Sequence, residues 1–259
     1  MEKTASQSLM SRLRTETVCE YSTKEYDFES ILRKIFDWQE KDLNLLHEKV
    51  AGSSELPPLT FEWDQKTVYH QTYYNSPLLP EMLSLYERFV KEVVAPQFEG
   101  EVAIVYQRKP TFRVHLPNNF AVPHNRGPEE RPGLHCDSEY NHPPGEINFW
   151  HNTMWTESEP FKEDWHPALL SYGQFLRFNG NLCRHYGNKN ASGLTRVSVD
   201  FRVVPMSQWD ETAVVKASVQ SFRKFIIGDY FEEYQLPSPS PSHSKNEWGE
   251  SSSRKTHQT

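Results

Sequence analysis

Apolar residues recur at intervals of three and four between Phe28 and Leu46: Phe28, Ile31, Leu32, Ile35 and Phe36, then Leu43 and Leu46. That spacing predicts one long amphipathic helix, broken by the Ser- and Pro-rich stretch Ser53–Pro58. A second helix is predicted over Pro80–Val94, with Leu83, Tyr86, Phe89, Val90 and Val93 inward and Pro80 at a position that suits a helix start. From about Glu101 the texture changes. Short β-rich runs follow, bounded by Pro, Gly and Asn: Val102–Gln107, Thr111–Leu116, Leu134–Glu139, Glu146–Trp155, Gln174–Phe178 and Arg196–Val204. A weaker helical stretch, Val214–Tyr234, comes last.

Helices first and strands later predict an α+β chain, an antiparallel sandwich or barrel buttressed by helices. Residues 1–20 read as a flexible leader. Residues 21–235 read as a single domain, with a helical part 21–100, a strand-rich core 101–205 and a helical cover 206–235. The Ser-Pro repeat from Pro237 marks residues 236–259 as a disordered tail.

The chain has 259 residues, enough for a sizeable core. A net charge of -7 argues against nucleic acid as a partner, because a phosphate backbone is held by clustered Lys and Arg. It leaves room for a small-molecule substrate. No run approaches the roughly 20 apolar residues that span a bilayer. The three cysteines, Cys19, Cys136 and Cys183, are too few for a disulfide framework, so a cytoplasmic setting is the expectation. Cys136 and Cys183 are expected as small buried packing residues. Oligomeric state is left open.

The chemistry centres on Leu134-His135-Cys136-Asp137. On a strand, His135 and Asp137 share a face and Cys136 points away. One imidazole and one carboxylate supply two metal ligands, and His185 is the best candidate for a third. Two His and one carboxylate leave positions open for substrate and oxygen, as in non-haem iron(II) oxygenases. Alone, His-x-Asp is a common accident in a chain with eleven histidines.

A second signal stands beside it. In Arg196–Arg202, Val197, Val199 and Phe201 alternate with Arg196, Ser198, Asp200 and Arg202. The apolar face should pack on an outer layer and the polar face should line an interior. A guanidinium grips a carboxylate through two parallel hydrogen bonds, and a hydroxyl two residues on adds a third. Arg196 and Ser198 would thus anchor the distal carboxylate of 2-oxoglutarate.

With these residues the chain resembles the Fe(II)/2-oxoglutarate-dependent dioxygenases. The segments Thr111–Leu116, Tyr140–Asn148 and Thr195–Arg202 resemble the hydroxylase-like branch of streptomycin biosynthesis. The resemblance covers roughly residues 101–205. It implies a double-stranded β-helix, a cupin-like jelly roll. It also implies an oxidoreductase that uses Fe(II), O2 and 2-oxoglutarate, releases succinate and CO2, and most often hydroxylates its substrate. A small polar metabolite, such as an amino acid or a secondary-metabolism intermediate, is the expected substrate. The intact Asp137 speaks against halogenation. The proline-rich loop 121–133 is longer than the branch leads one to expect.

Further candidates follow. Asn148 and Gln107 could hold the C1 carboxylate of 2-oxoglutarate. Arg113, His115, Glu146 and Arg202 are candidate substrate residues, although Arg113 could equally form an ion pair with Asp200 or Glu146, and Arg202 could pair near Asp200. Trp150 reads as core packing. His142, Asn188 and Asn190 read as loop residues near the iron, while His124, His151 and His166 are not expected as ligands. Two other readings compete: a non-catalytic jelly roll that binds or senses, and a cupin enzyme without a co-substrate.

Overall fold

The computed structural model describes residues 9–49, 67–118, 134–152, 167–187, 190–221 and 224–237. The break at 53–58, the loop 121–133, Asn188, His124, His166, the His151 side chain and the tail from 238 lie outside the described residues.

The frame is a seven-stranded antiparallel sheet. Its strands are β1 (Thr17–Glu20), β2 (Ala103–Gln107), β3 (Thr111–His115), β4 (Ile147–Asn152), β5 (Gln174–Phe178), β6 (Arg196–Pro205) and β7 (Phe231–Gln235). The order is β1-β5-β4-β6-β2-β7, and β3 also pairs with β6. At ten residues β6 is long enough to serve two neighbours along one edge: β3 beside Arg196–Asp200 and β2 beside Val203–Pro205. Its other edge is taken by β4, from Asn152 opposite Ser198 to Ile147 opposite Val203.

Helices cover one face of this sheet. In α1 (Phe28–Ile35), Asp27 accepts the Ser30 amide at 2.9 Å and so caps the first turn. The spacing of Phe28, Ile31, Leu32 and Ile35 buries one stripe. The helix stops where Asp37 enters the left-handed region at φ 48°. Leu43 and Leu46, expected on the same helix, lie instead on a separate 3-10 turn, Leu43–Lys49. A short helix α2 (Val68–Tyr74) has no counterpart in the sequence reading. In α3 (Leu79–Phe89), Met82, Tyr86 and Phe89 are buried, and the chain continues through a π-turn, Val90–Val94, into the 3-10 turn Ala95–Phe98. Against these helices the sheet sets Phe149, Phe175, Val197, Val199, Phe201 and Val203. Phe149 and Phe201 stack at 5.2 Å, and Tyr86 meets Phe201 edge-on at 5.1 Å. Each buried Phe contributes about 1.5–3 kcal/mol.

Two ends differ from expectation. Residues 9–20, assigned to a mobile leader, join the fold: Leu9, Met10 and Leu13 are buried in a helical segment, and β1 pairs with β5. The expected C-terminal helix is only α4 (Glu211–Ser221), with Asp210 capping Thr212 and Ala213. Its last part is strand β7, paired with β2, because Phe231 is needed in a second apolar cluster with Val105, Val204, Val214, Ala217 and Phe225. Among the described residues no helix is long and apolar enough to cross a membrane.

Candidate metal centre

The first departure from the sequence reading is local. Leu134–Glu139 is not a strand. His135 forms an isolated antiparallel bridge with His185, through His135 N–H to His185 O at 3.0 Å and His185 N–H to His135 O at 2.8 Å. Asp137 opens a 3-10 turn, Asp137–Tyr140, which Asn141 closes in the left-handed region at φ 61°. The three side chains nevertheless converge. Asp137 Oδ1 lies 3.6 Å from His135 Nε2 and 3.5 Å from His185 Nε2, and the three candidate ligand atoms fall within 4.8 Å of one another.

The donor set fits an iron(II) ion. His185 Nδ1 lies 2.9 Å from the Cys183 carbonyl, which fixes Nδ1–H as donor and leaves Nε2 its lone pair. Tyr140 packs edge-on against His135 and Phe178 against His185, at 4.7 and 5.3 Å. Asp137 is almost wholly buried. Burial pushes its carboxyl up, but Arg202 and the two imidazoles outweigh that and hold it well below the usual carboxylate range.

The polar face of β6 borders this centre. Arg202 donates to Asp137 Oδ2 from Nε at 3.3 Å and Nη2 at 3.1 Å, and to Asp200 from Nη1 at 2.7 Å. Arg113 pairs with the same Asp200. Burial pushes the Asp200 carboxyl up, yet Arg113 and Arg202 together bring it below its ordinary value. Arg113 and Arg202, candidate substrate residues, are thus both engaged in ion pairs.

Nearer the start of β6, Arg196 lies over the Trp150 ring at 4.8 Å, so Trp150 floors the interior rather than filling the core. Arg196 Nε and Ser198 Oγ are buried with no hydrogen-bond partner among the described residues. Burial and the neighbouring Arg113 push the Arg196 guanidinium down to about 10. His115 is buried opposite Arg196 across the β3–β6 ladder. Thr195 ties this end of β6 to the Leu43–Lys49 turn, through its amide to Asn44 O at 2.7 Å and its hydroxyl to His47 Nδ1 at 2.8 Å.

Asn148 and Gln107 spend their N–H groups elsewhere. Asn148 Nδ2 donates to Asp137 Oδ2 at 2.6 Å, and Gln107 Nε2 to Lys109 O at 2.6 Å. What each leaves unpartnered is a carbonyl oxygen, which cannot donate to a carboxylate. Glu146 is buried, 3.0 Å from His142 Nδ1, with Oε1 unpartnered. His142 therefore does lie beside the centre. Asn190 instead shapes its own turn, donating to Leu194 O and His115 O. Cys136 turns away towards Leu182 O, while Cys183 is exposed rather than buried.

Sequence reasoning missed Gly180 and Asn181. Gly180 O accepts the Asp137 amide at 2.9 Å, and Asn181 Nδ2 donates to Pro143 O at 3.1 Å, which fastens the turn after β5 to the loop before β4. Only the clustering of Asn and Gly in Asn179-Gly180-Asn181 hints at such a turn.

No family model matches the chain. It is 29% identical over 212 residues to the streptomycin biosynthesis protein StrG of Streptomyces griseus, covering 76% of this chain and 95% of the relative. Two solved structures of the non-haem monooxygenase ThoJ align at 11% identity. The apo form covers 84% of this chain and 97% of its own with a TM-score of 0.39. The nickel complex covers 83% and 96% with a TM-score of 0.37. Those scores are too low to equate the folds.

Proposed function

We propose that this chain is a biosynthetic non-haem iron oxygenase of the Fe(II)/2-oxoglutarate-dependent type, which oxidises, most often by hydroxylation, a small polar metabolite such as an amino acid or a secondary-metabolism intermediate. His135, Asp137 and His185 hold the iron. Arg196 and Ser198 hold the distal carboxylate of 2-oxoglutarate. The bound metal and co-substrate supply the oxidising power drawn from O2, with succinate and CO2 as by-products. The single domain takes in residues 9–20 as well as 21–235, with the antiparallel sheet as one side of a jelly roll.

The observation that carries this reading is the unpartnered pair Arg196 Nε and Ser198 Oγ, on the sheet face that borders the triad. Arg196 as a whole is half-buried, but a buried guanidinium N–H and a buried hydroxyl left without partners are costly, and a bound carboxylate removes that cost. Charge supports it too. Among the described residues, Asp137, Asp200 and Glu146 balance Arg113, Arg196 and Arg202 in this interior, and a dication entering with a dianion keeps that balance. The likeness to StrG supports a place in biosynthesis.

Two measurements test it. Equilibrium dialysis of labelled 2-oxoglutarate against the iron-loaded protein should show binding that His185→Ala weakens. A panel of amino acids and secondary metabolites should then include one that stimulates succinate release. Absence of 2-oxoglutarate binding would overturn the proposal.

A further inference from the structure

The centre contains a device that the oxygenase reading does not by itself require. Asp137 Oδ2 accepts from Asn148 at 2.6 Å and from Arg202 at 3.1 and 3.3 Å, so its lone pairs are taken. Only Oδ1 faces the two imidazoles. The Asn148 amide reaches Oδ2 by passing over Gly180. A Cβ added at Gly180 would lie 2.6 Å from both Asn148 Cγ and Nδ2 and 2.7 Å from Oδ1, a separation that real Cβ atoms do not show. Gly180 needs no unusual backbone angle. The close approach is what demands a glycine. The same residue's carbonyl accepts the Asp137 amide at 2.9 Å.

We infer that Gly180 and Asn148 are positioning residues that act as one unit on Asp137, turning its carboxylate so that a single oxygen is offered to the metal. Gly180 fixes the main chain of Asp137 through its carbonyl and, by lacking a side chain, admits the amide that fixes the carboxylate. A carboxylate held by one oxygen leaves coordination positions open, whereas one free to rotate can close a position with its second oxygen. Arg202 reinforces the hold, and Asp200 and Arg113 steady Arg202.

The inference rests on the triad being a metal site, so its test uses cobalt(II) alone, without co-substrate or turnover. Cobalt(II) affinity and the visible absorption of the bound ion, which reports coordination number, are measured for the wild type, Asn148→Ala, Gly180→Ala and the double variant. Each single variant should weaken cobalt(II) by about tenfold and shift the absorption in the same way. The double variant should be no worse than either, because both act through one contact. Thermal unfolding of the metal-free proteins gives a second readout. Asn148→Ala should relieve the destabilisation caused by Gly180→Ala, since removing the amide makes room for the new methyl. Single variants that bind cobalt(II) like the wild type with an unchanged spectrum overturn the inference, as does an additive double variant. A wild type that binds no cobalt(II) overturns the metal site itself, which keeps the two failures distinct.

Discussion

The two faces of β6 are built on opposite terms. Outward, Val197, Val199, Phe201 and Val203 are closed against helices, with each side chain in full apolar contact. Inward, Asp200 and Arg202 meet other charged groups, Arg196 lies over the Trp150 ring, and the buried Arg196 Nε and Ser198 Oγ meet no hydrogen-bond partner among the described residues. Alternate residues of one strand therefore carry opposite energetic signs. The outer face supplies stability that lets the inner face keep groups a folded chain would otherwise shed. Substitution should separate the two: outer changes lower stability, and inner changes lower ligand binding.

The largest effect is expected at Phe201. Phe201→Ala removes a buried ring that stacks on Phe149 and meets Tyr86, and should cost about 3–5 kcal/mol in denaturant unfolding. A loss below about 1 kcal/mol would break the assignment of stability to this face.

The outer side also predicts a pH dependence. His70 is buried against Phe112, and burial together with Arg113 lowers its pKa from 6.5 to about 4. The unfolded chain takes up this proton first as pH falls. Stability is full above about pH 6.5, declines towards pH 4 and loses up to about 3 kcal/mol. In His70→Leu the decline between those values should shrink, as read from urea midpoints across the range.

On the inner face, Arg196→Met should leave stability within about 1 kcal/mol of wild type, or raise it, because a buried N–H without a partner is removed. The same change should weaken 2-oxoglutarate by about a hundredfold, the worth of a charge-assisted pair. Unfolding and dialysis on one preparation decide the matter, and a large stability loss with intact binding would reverse the comparison. Ser198→Ala is the smallest step. It should weaken 2-oxoglutarate by about tenfold, in line with one hydrogen bond to a carboxylate, and barely move the unfolding midpoint.

What could be seen in the chain follows from how local each cause is. The alternation of Arg196–Arg202 was legible because a strand's period shows in adjacent residues. His135, Asp137 and His185 were legible as a set of donor types, although the geometry differs: a bridge and a 3-10 turn bring them together instead of one strand. The long first helix misled because Leu43 and Leu46 keep the period across the break at Asp37. Strands β1 and β7 lie at the sheet's two ends and carry mixed residues, Thr-Val-Cys-Glu and Phe-Glu-Glu-Tyr-Gln, whose pairing is decided by β5 and β2. Gly180 was invisible because its role exists only when Asn148, from strand β4, arrives beside this turn.

The bridge between His135 and His185 has one more consequence. Two reciprocal main-chain bonds join these residues, so neither backbone can pull away without breaking its tie to the other. With the proposed ion bound, opening of this two-residue ladder and surrender of the ion would be a single thermodynamic event. A chelator would then strip the protein at the rate at which that short stretch frays, and occupancy would in turn slow the fraying. Retention of the proposed metal would in this sense be a property of local folding, written in the backbone as much as in the side chains.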